Sequence, residues 1–148
     1  MNLLQTIRTI EAVAAQQPSV ASIVRNDVFR LNALPGVQYG VFAWLQGEHR
    51  TDAQGDLLTF NFTLFHVDRL TFDKGNEIEV QSTAIETLEN ILRGIAAYGI
   101  MAGEYTFRTF NQRFSDDCAG AFCVVSLEVP KDGVCPFDFP ESETINIY

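Results

Sequence analysis

The sequence predicts an α+β domain: a mainly antiparallel sheet of two long hairpins, with an N-terminal helix and a long central helix packed on one face. Three observations carry this. Residues 2–16 and 76–98 repeat their apolar side chains at helical spacing. Asp56 to Val67 alternates apolar and polar residues at period 2 without a break. Short glycine-containing polar stretches join the strand segments, and neighbours joined by short loops pair antiparallel.

In the first helix Leu3, Ile7, Ile10 and Ala14 form one stripe, with Leu4 and Val13 alongside. Asn2 is the expected N-cap and Pro18 the stop. Residues 19–25 read as a short second turn of helix. Asp27 to Asn32 reads as a short edge strand, and Leu34-Pro35-Gly36 as a turn. Tyr39 to Gln46 (YGVFAWLQ) is aromatic and β-forming, with Phe42 and Trp44 on one face and Tyr39, Val41, Ala43 and Leu45 on the other. A strand apolar on both faces is central, or is covered by another subunit. The polar stretch Gly47 to Gly55 is expected to be a mobile hairpin loop.

In Asp56 to Val67, Leu58, Phe60, Phe62 and Leu64 share a face, opposite Thr59, Asn61 and Thr63. Twelve residues span about 40 Å as a strand. The helix over 76–98 turns Ile78, Ile85, Leu88, Leu92 and Ile95 to one side, with Glu89 and Arg93 as an i, i+4 pair. At about 35 Å it matches the strand. Tyr105 to Phe114 and Ala121 to Val129 form the second hairpin, and Pro130 ends it. Residues 131–148 form an extended acidic segment, in which Lys131 stands against two aspartates and two glutamates. It is expected to lie along an edge and to fray at its end. The whole chain, 1–148, reads as one domain.

The chain has 148 residues and a formal net charge of −9. This excludes a disordered tail, a collagen-like chain and a disulfide-stapled miniprotein. Acidity and only two lysines argue against a single-strand nucleic-acid platform built from Arg108, Arg113 and the aromatics. No apolar run reaches membrane-spanning length, and no basic segment precedes the N-terminal apolar residues, so neither a transmembrane helix nor a signal peptide is expected. Cys118, Cys123 and Cys135 are an odd set without C-x-x-C spacing, which fits a reducing compartment. A Cys118–Cys135 pair stays open, and Cys123 reads as core. The glycosylation sequon Asn61-Phe62-Thr63 falls inside the strand pattern and reads as coincidence.

Motifs for catalysis are thin. His66 and Asp68 share a face if their strand continues, which is a start for a metal site or for an acid–base pair. The simpler reading is a strand-end histidine bonded to a neighbour. Asp73 to Glu79 lacks calcium-loop spacing and reads as a turn leading into an acidic first helical turn. There is no nucleophile elbow and no phosphate-binding glycine loop. Cys118 follows two aspartates, which disfavour a thiolate. The sequence therefore predicts no enzyme, no metal site and no cofactor.

The stretch Val24 to Arg93 carries a resemblance. A short strand with Leu31-Asn32, then Tyr39-Gly40-Val41-Phe42, then the long Leu57 to Val67 strand and the helix after it resemble the tail-terminator (tail-completion) family of long-tailed phages and prophages. The resemblance implies a structural protein that assembles as a ring, commonly hexameric, at the head-proximal end of the tail tube. Its partners would be its own copies and other tail or head–tail connector proteins, with no sequence-specific nucleic acid and no membrane. It would reside in the host cytoplasm during assembly and then in the virion tail. DNA would pass through the ring, where an acidic lumen repels phosphate. The hairpins and the Gly47 to Gly55 loop would make the contacts, with Trp44, Phe137 and Phe139 as interface candidates. The alternative is a small-molecule or peptide-binding module with a cavity lined by Phe60, Phe62 and Ile85. A third reading is a hydrolase or isomerase built on His66 and Asp68.

Overall fold

The computed structural model describes residues 1–27, 36–52, 54–111, 117–131 and 145–148. Their order is α1 (Leu3–Ala15), β1 (Ser22–Arg25), β2 (Val41–Thr51), β3 (Leu57–Arg69), α2 (Glu77–Ala96), β4 (Met101–Ala102), β5 (Phe107–Asn111), β6 (Cys118–Pro130) and β7 (Asn146–Ile147). The fold is a single α+β domain with both helices on one face of a mostly antiparallel sheet.

Helix α1 starts as its sequence dictates. Asn2 Oδ1 accepts from the Gln5 N–H and Gln5 Oε1 accepts from the Asn2 N–H, each at 2.9 Å. These bonds satisfy two amides that a bare helix start leaves open. Ile10, Val13 and Ala14 are buried, whereas Leu4 is exposed. Helix α2 buries Val80, Ala84, Leu88, Ile91, Leu92 and Ile95. Ile78, assigned to that stripe, is 74% exposed instead, because it stands about 200° around the helix from the buried Val80. The Glu89–Arg93 pair forms as expected.

The sheet runs β4-β6-β3-β2-β1-β7, and β5 also pairs with β6. Strand β3 is its centre, paired with β2 on one side and with β6 along its whole length on the other. Phe60, Phe62 and Leu64 of β3 meet Phe42 and Trp44 of β2, Cys123, Val125 and Leu127 of β6, and the buried faces of both helices in one core. A second cluster lies on the opposite face, where Val24, Val41, Ala43, Phe65, Val67, Phe110 and Cys118 group with Tyr39, Phe122 and Tyr148. Val41 to Trp44 are therefore buried on both faces, as the double-sided pattern of β2 required.

Several boundaries depart from expectation. Residues 22–25 form a strand, not a helical turn, and β1 runs parallel to both β2 and β7. The sheet is consequently mixed, with one parallel corner. The stretch Gly47 to Gly55 is not all loop, since β2 continues to Thr51 with a register shift between Gln46 and His49. The polarity of 47–51 reflects exposure at the sheet margin, where ladder hydrogen bonds still hold the backbone. The chain end does not fray: Tyr148 N–H donates to Ile23 O and Tyr148 O accepts from Arg25 N–H, both at 3.0 Å. Most of the strand expected over Asp27 to Asn32, the Leu34-Pro35 turn and most of 131–148 lie outside the described residues.

Candidate interaction surface

The titratable groups of interest are mainly inside the fold. His66 sits mid-sheet with no exposed surface. Its Nε2 lies 2.9 Å from Ser19 O. A carbonyl only accepts, so Nε2 carries the proton and Nδ1 is left an acceptor, with no partner among the described residues. Burial pushes the His66 pKa down against the opposing influences of that bond and of Asp68. Two glycines make the room. A Cβ at Gly40 would stand 2.0 Å from Ser19 O, and one at Gly120 would stand 1.9 Å from His66 O. His66 therefore locks β3 to the segment entering β1 and faces no cleft. Cys118 and Cys123 are buried free thiols, and burial pushes Cys123 up to about 12. Cys135 lies outside the described residues. Among the described residues no group of His, Cys, Asp and Glu is placed to hold a metal ion.

A second polar cluster links α1 to the sheet. The Glu11 carboxylate accepts from Arg25 Nε at 2.8 Å and Nη2 at 2.7 Å, and from the Trp44 indole at 3.2 Å. Glu11 is buried, and its neighbourhood raises the Arg25 pKa further. The arrangement is a bidentate fork with the indole as third donor. Its role is structural, because it neutralises a carboxylate inside the helix–sheet layer. Trp44, the first interface candidate, is only 5% exposed and packs edge-on to Phe62. It offers a partner little surface. Phe137 and Phe139 lie outside the described residues.

The surface carries apolar groups elsewhere. The loop from Leu70 to Asn76 joins β3 to α2 and puts Phe72 wholly in solvent. That loop is tightly tied. Thr71 N–H donates to Asn76 Oδ1 at 2.8 Å, Thr71 Oγ1 and Gly75 N–H donate to Asp73 Oδ1 at 2.6 and 3.0 Å, and Lys74 N–H donates to Thr71 O at 2.8 Å. Leu70 N–H reaches Asp117 O at 2.6 Å. The bonds from Thr71 and Gly75 hold the Asp73 carboxyl below its usual range. The exposed Ile78 follows in the first turn of α2. Composition hid this site, because an isolated phenylalanine reads as core. The signal available was its place inside a turn, between Thr71 and Asp73-Lys74-Gly75.

A second apolar area lies on the sheet face turned away from the helices. Cys123 and Val125 point into the helix-side core, so Phe122 and Val124 point the other way. Val124 is 62% exposed. Between β4 and β5 the Gly103 N–H still donates to Ser126 O of β6 at 3.1 Å, and the pairing lapses over residues 104–106. There Glu104, Tyr105, Thr106, Arg108, Phe122 and Val124 line an open depression of about 510 Å³. Phe60 and Phe62, named with Ile85 for the cavity of a binding module, are buried in the helix–sheet core, and Ile85 packs against it.

No protein-family model and no curated protein matches the chain. Among the described residues no helix is long and apolar enough to cross a membrane.

Proposed function

We propose that the protein is a structural subunit of a phage or prophage tail, working as a ring oligomer in tail completion or head–tail joining and not as an enzyme. The observation that carries this reading is the exposure of Phe72 on the hydrogen-bonded loop and of Ile78 in the first turn of α2, with Val124 exposed on the sheet face turned away from the helices. Apolar side chains held out in solvent on fixed backbone are the groups a partner subunit would cover. Two unlike patches on one chain suit the head-to-tail contacts that close a ring. The resemblance of Val24 to Arg93 to tail-terminator proteins supplies the tail context. The subunit would form in the host cytoplasm and remain in the virion tail, with its own copies and other tail or connector proteins as partners.

The test adds purified protein to tail tubes of the phage or prophage that encodes it. Capping of one tube end, seen by electron microscopy, is the expected result. Absence of binding to tubes at saturating protein would refute the tail assignment.

One observation favours a second reading. The depression beside Arg108 is of a size that takes a small ligand or a peptide side chain, so a non-catalytic binding module is the alternative. Saturable binding of a small molecule or peptide that Val124→Asp abolishes, with no binding to tubes, would favour it.

A further inference from the structure

We propose that the connector between α1 and β1, residues 16–21, is an acid-released latch: a second proton on His66 lifts it from the sheet while β3 keeps its ladders. The latch needs no partner and holds whether or not the chain assembles.

The closed latch is a carbonyl held on an imidazole. His66 has no exposed surface, and its Nε2–H donates to Ser19 O at 2.9 Å. The same carbonyl is pressed against Gly40, where a Cβ would stand 2.0 Å from it. Ser19 Oγ bonds Thr87 Oγ1 at 2.5 Å, which ties the connector to α2 as well. Ser19 thus sits where β3, the entry to β2 and α2 meet. Of the three residues that hold it there, His66, Gly40 and Thr87, only His66 titrates.

Acid acts on the other ring nitrogen. Nδ1 is buried and has no partner among the described residues. Protonation makes it a donor with nothing to donate to and puts a charge in the core, and both penalties fall on the closed state. The surroundings give little in return. The ring meets Gly40 and Phe42 from the β2 side, Ala121 from β6, Ser19 from the connector, and Thr87 of α2 through Ser19. None of these carries a charge. On β3 itself Asp68 favours the cation, but its Oδ1 already accepts from the Arg69 N–H at 2.7 Å.

The cation gains by reaching water, and the connector is the way out. Strand β3 is laddered to β2 on one side and to β6 on the other, so moving it breaks many bonds at once. The connector depends on few. Ala21 N–H and Ser22 N–H both donate to Gly40 O, at 2.8 and 3.2 Å, beside the two bonds of Ser19. Gln17 N–H to Ala14 O and Val20 N–H to Gln17 O are local bonds that travel with the segment. Opening is therefore confined to one joint, as a local unfolding event of low cost.

The experiment follows amide hydrogen exchange by NMR from about pH 7 to about pH 5, with each rate taken relative to its intrinsic value. It compares the wild type with His66→Gln, which keeps a side-chain N–H for Ser19 O and cannot take the proton, and with Asp68→Asn. In the wild type, opening at Ala21 and Ser22 should rise up to about tenfold per pH unit below about pH 6.5, the ordinary histidine value. The amides of β3 and β6 should keep constant protection. His66→Gln should show no rise. Asp68→Asn lacks the charge that steadies the buried cation, so its rise should continue to lower pH. Should His66→Gln not fold, the wild type still decides: the rise must level off at the pH where the nitrogen-15 shift of Nδ1 reports its protonation in the closed state.

No rise in the wild type overturns the proposal. So does a rise that appears only in Asp68→Asn, since Asp68 would then take the imidazolium proton with the connector shut. An equal rise in His66→Gln would place the titration elsewhere, and a rise shared by the amides of β3 and β6 would mean that acid loosens the whole fold; either result ends the latch.

Discussion

Replacing Glu11 with alanine tests the polar cluster that ties α1 to the sheet. Three effects add. The Trp44 indole N–H is buried and loses its acceptor, which costs about 1–3 kcal/mol. The Arg25 side chain is 49% exposed, so its guanidinium returns to water and the lost pair contributes only about 0.5–1 kcal/mol. Removing the buried Glu11 methylenes costs on the order of 1 kcal/mol, partly offset by the higher helix propensity of alanine. The net loss is about 2–4 kcal/mol, a fall in melting temperature of roughly 5–12 °C for a chain of this size. Glu11→Gln keeps the one oxygen that the indole and Arg25 Nε share, while its amide NH2 faces the half-exposed Arg25 Nη2, which can turn to water, so it should lose about 1–2 kcal/mol, less than the alanine. Urea unfolding of both variants, followed by Trp44 fluorescence, reads the difference. The reasoning fails if Glu11→Ala lies within about 0.5 kcal/mol of the wild type. It also fails if Glu11→Gln is as damaging as Glu11→Ala, since charge and not acceptance would then be holding the cluster.

Other outcomes follow from the buried groups. The folded state lowers the His66 pKa, so the unfolded chain binds the extra proton first as pH falls. The contribution of neutral His66 is complete above about pH 6.5 and is lost below it, at up to about 1.4 kcal/mol per pH unit until the folded value is reached. Nitrogen-15 NMR of the imidazole should show it neutral, with the proton on Nε2, at a pH where a free histidine is charged. Gly120→Ala places a methyl 1.9 Å from the His66 carbonyl and must part β6 from β3. A loss above about 3 kcal/mol or insoluble expression is expected, and near-native stability would contradict the register. Cys123, pushed up to about 12 and buried, should resist iodoacetamide in the native protein and react once urea unfolds it, as peptide mass spectrometry would show.

The elements built on local periodicity were legible. The alternation of Leu58 to Leu64 and the spacing of Leu88, Leu92 and Ile95 reach the eye directly because burial on one face imposes them. The elements that depend on distant partners were not. Ser22 to Arg25 is too short to show a period, and it becomes a strand only through neighbours at 41–44 and 146–147. Residues 47–51 carry loop composition, yet their ladder with β3 outweighs it. Trp44 invited an interface role because a large aromatic on a two-sided apolar strand fits one. Its acceptor, Glu11, sits in a helix whose pattern gives no hint that a carboxylate points inward. Phe72 was missed for the converse reason, since nothing in the identity of a phenylalanine tells whether a turn lifts it out of the core.

The pairing of β1 with β7 has a consequence for synthesis. Strand β1 emerges early, but the segment that covers its outer side comes almost the whole chain later. At translation rates of about 5–20 residues per second, the interval is on the order of ten seconds. Throughout it the Ile23 carbonyl and the Arg25 amide lack the Tyr148 groups that later satisfy them. An extended strand with an unpaired side invites other chains. A nascent chain stalled before Asn146 would therefore present β1 as an adhesive margin, which residues 146–148 seal.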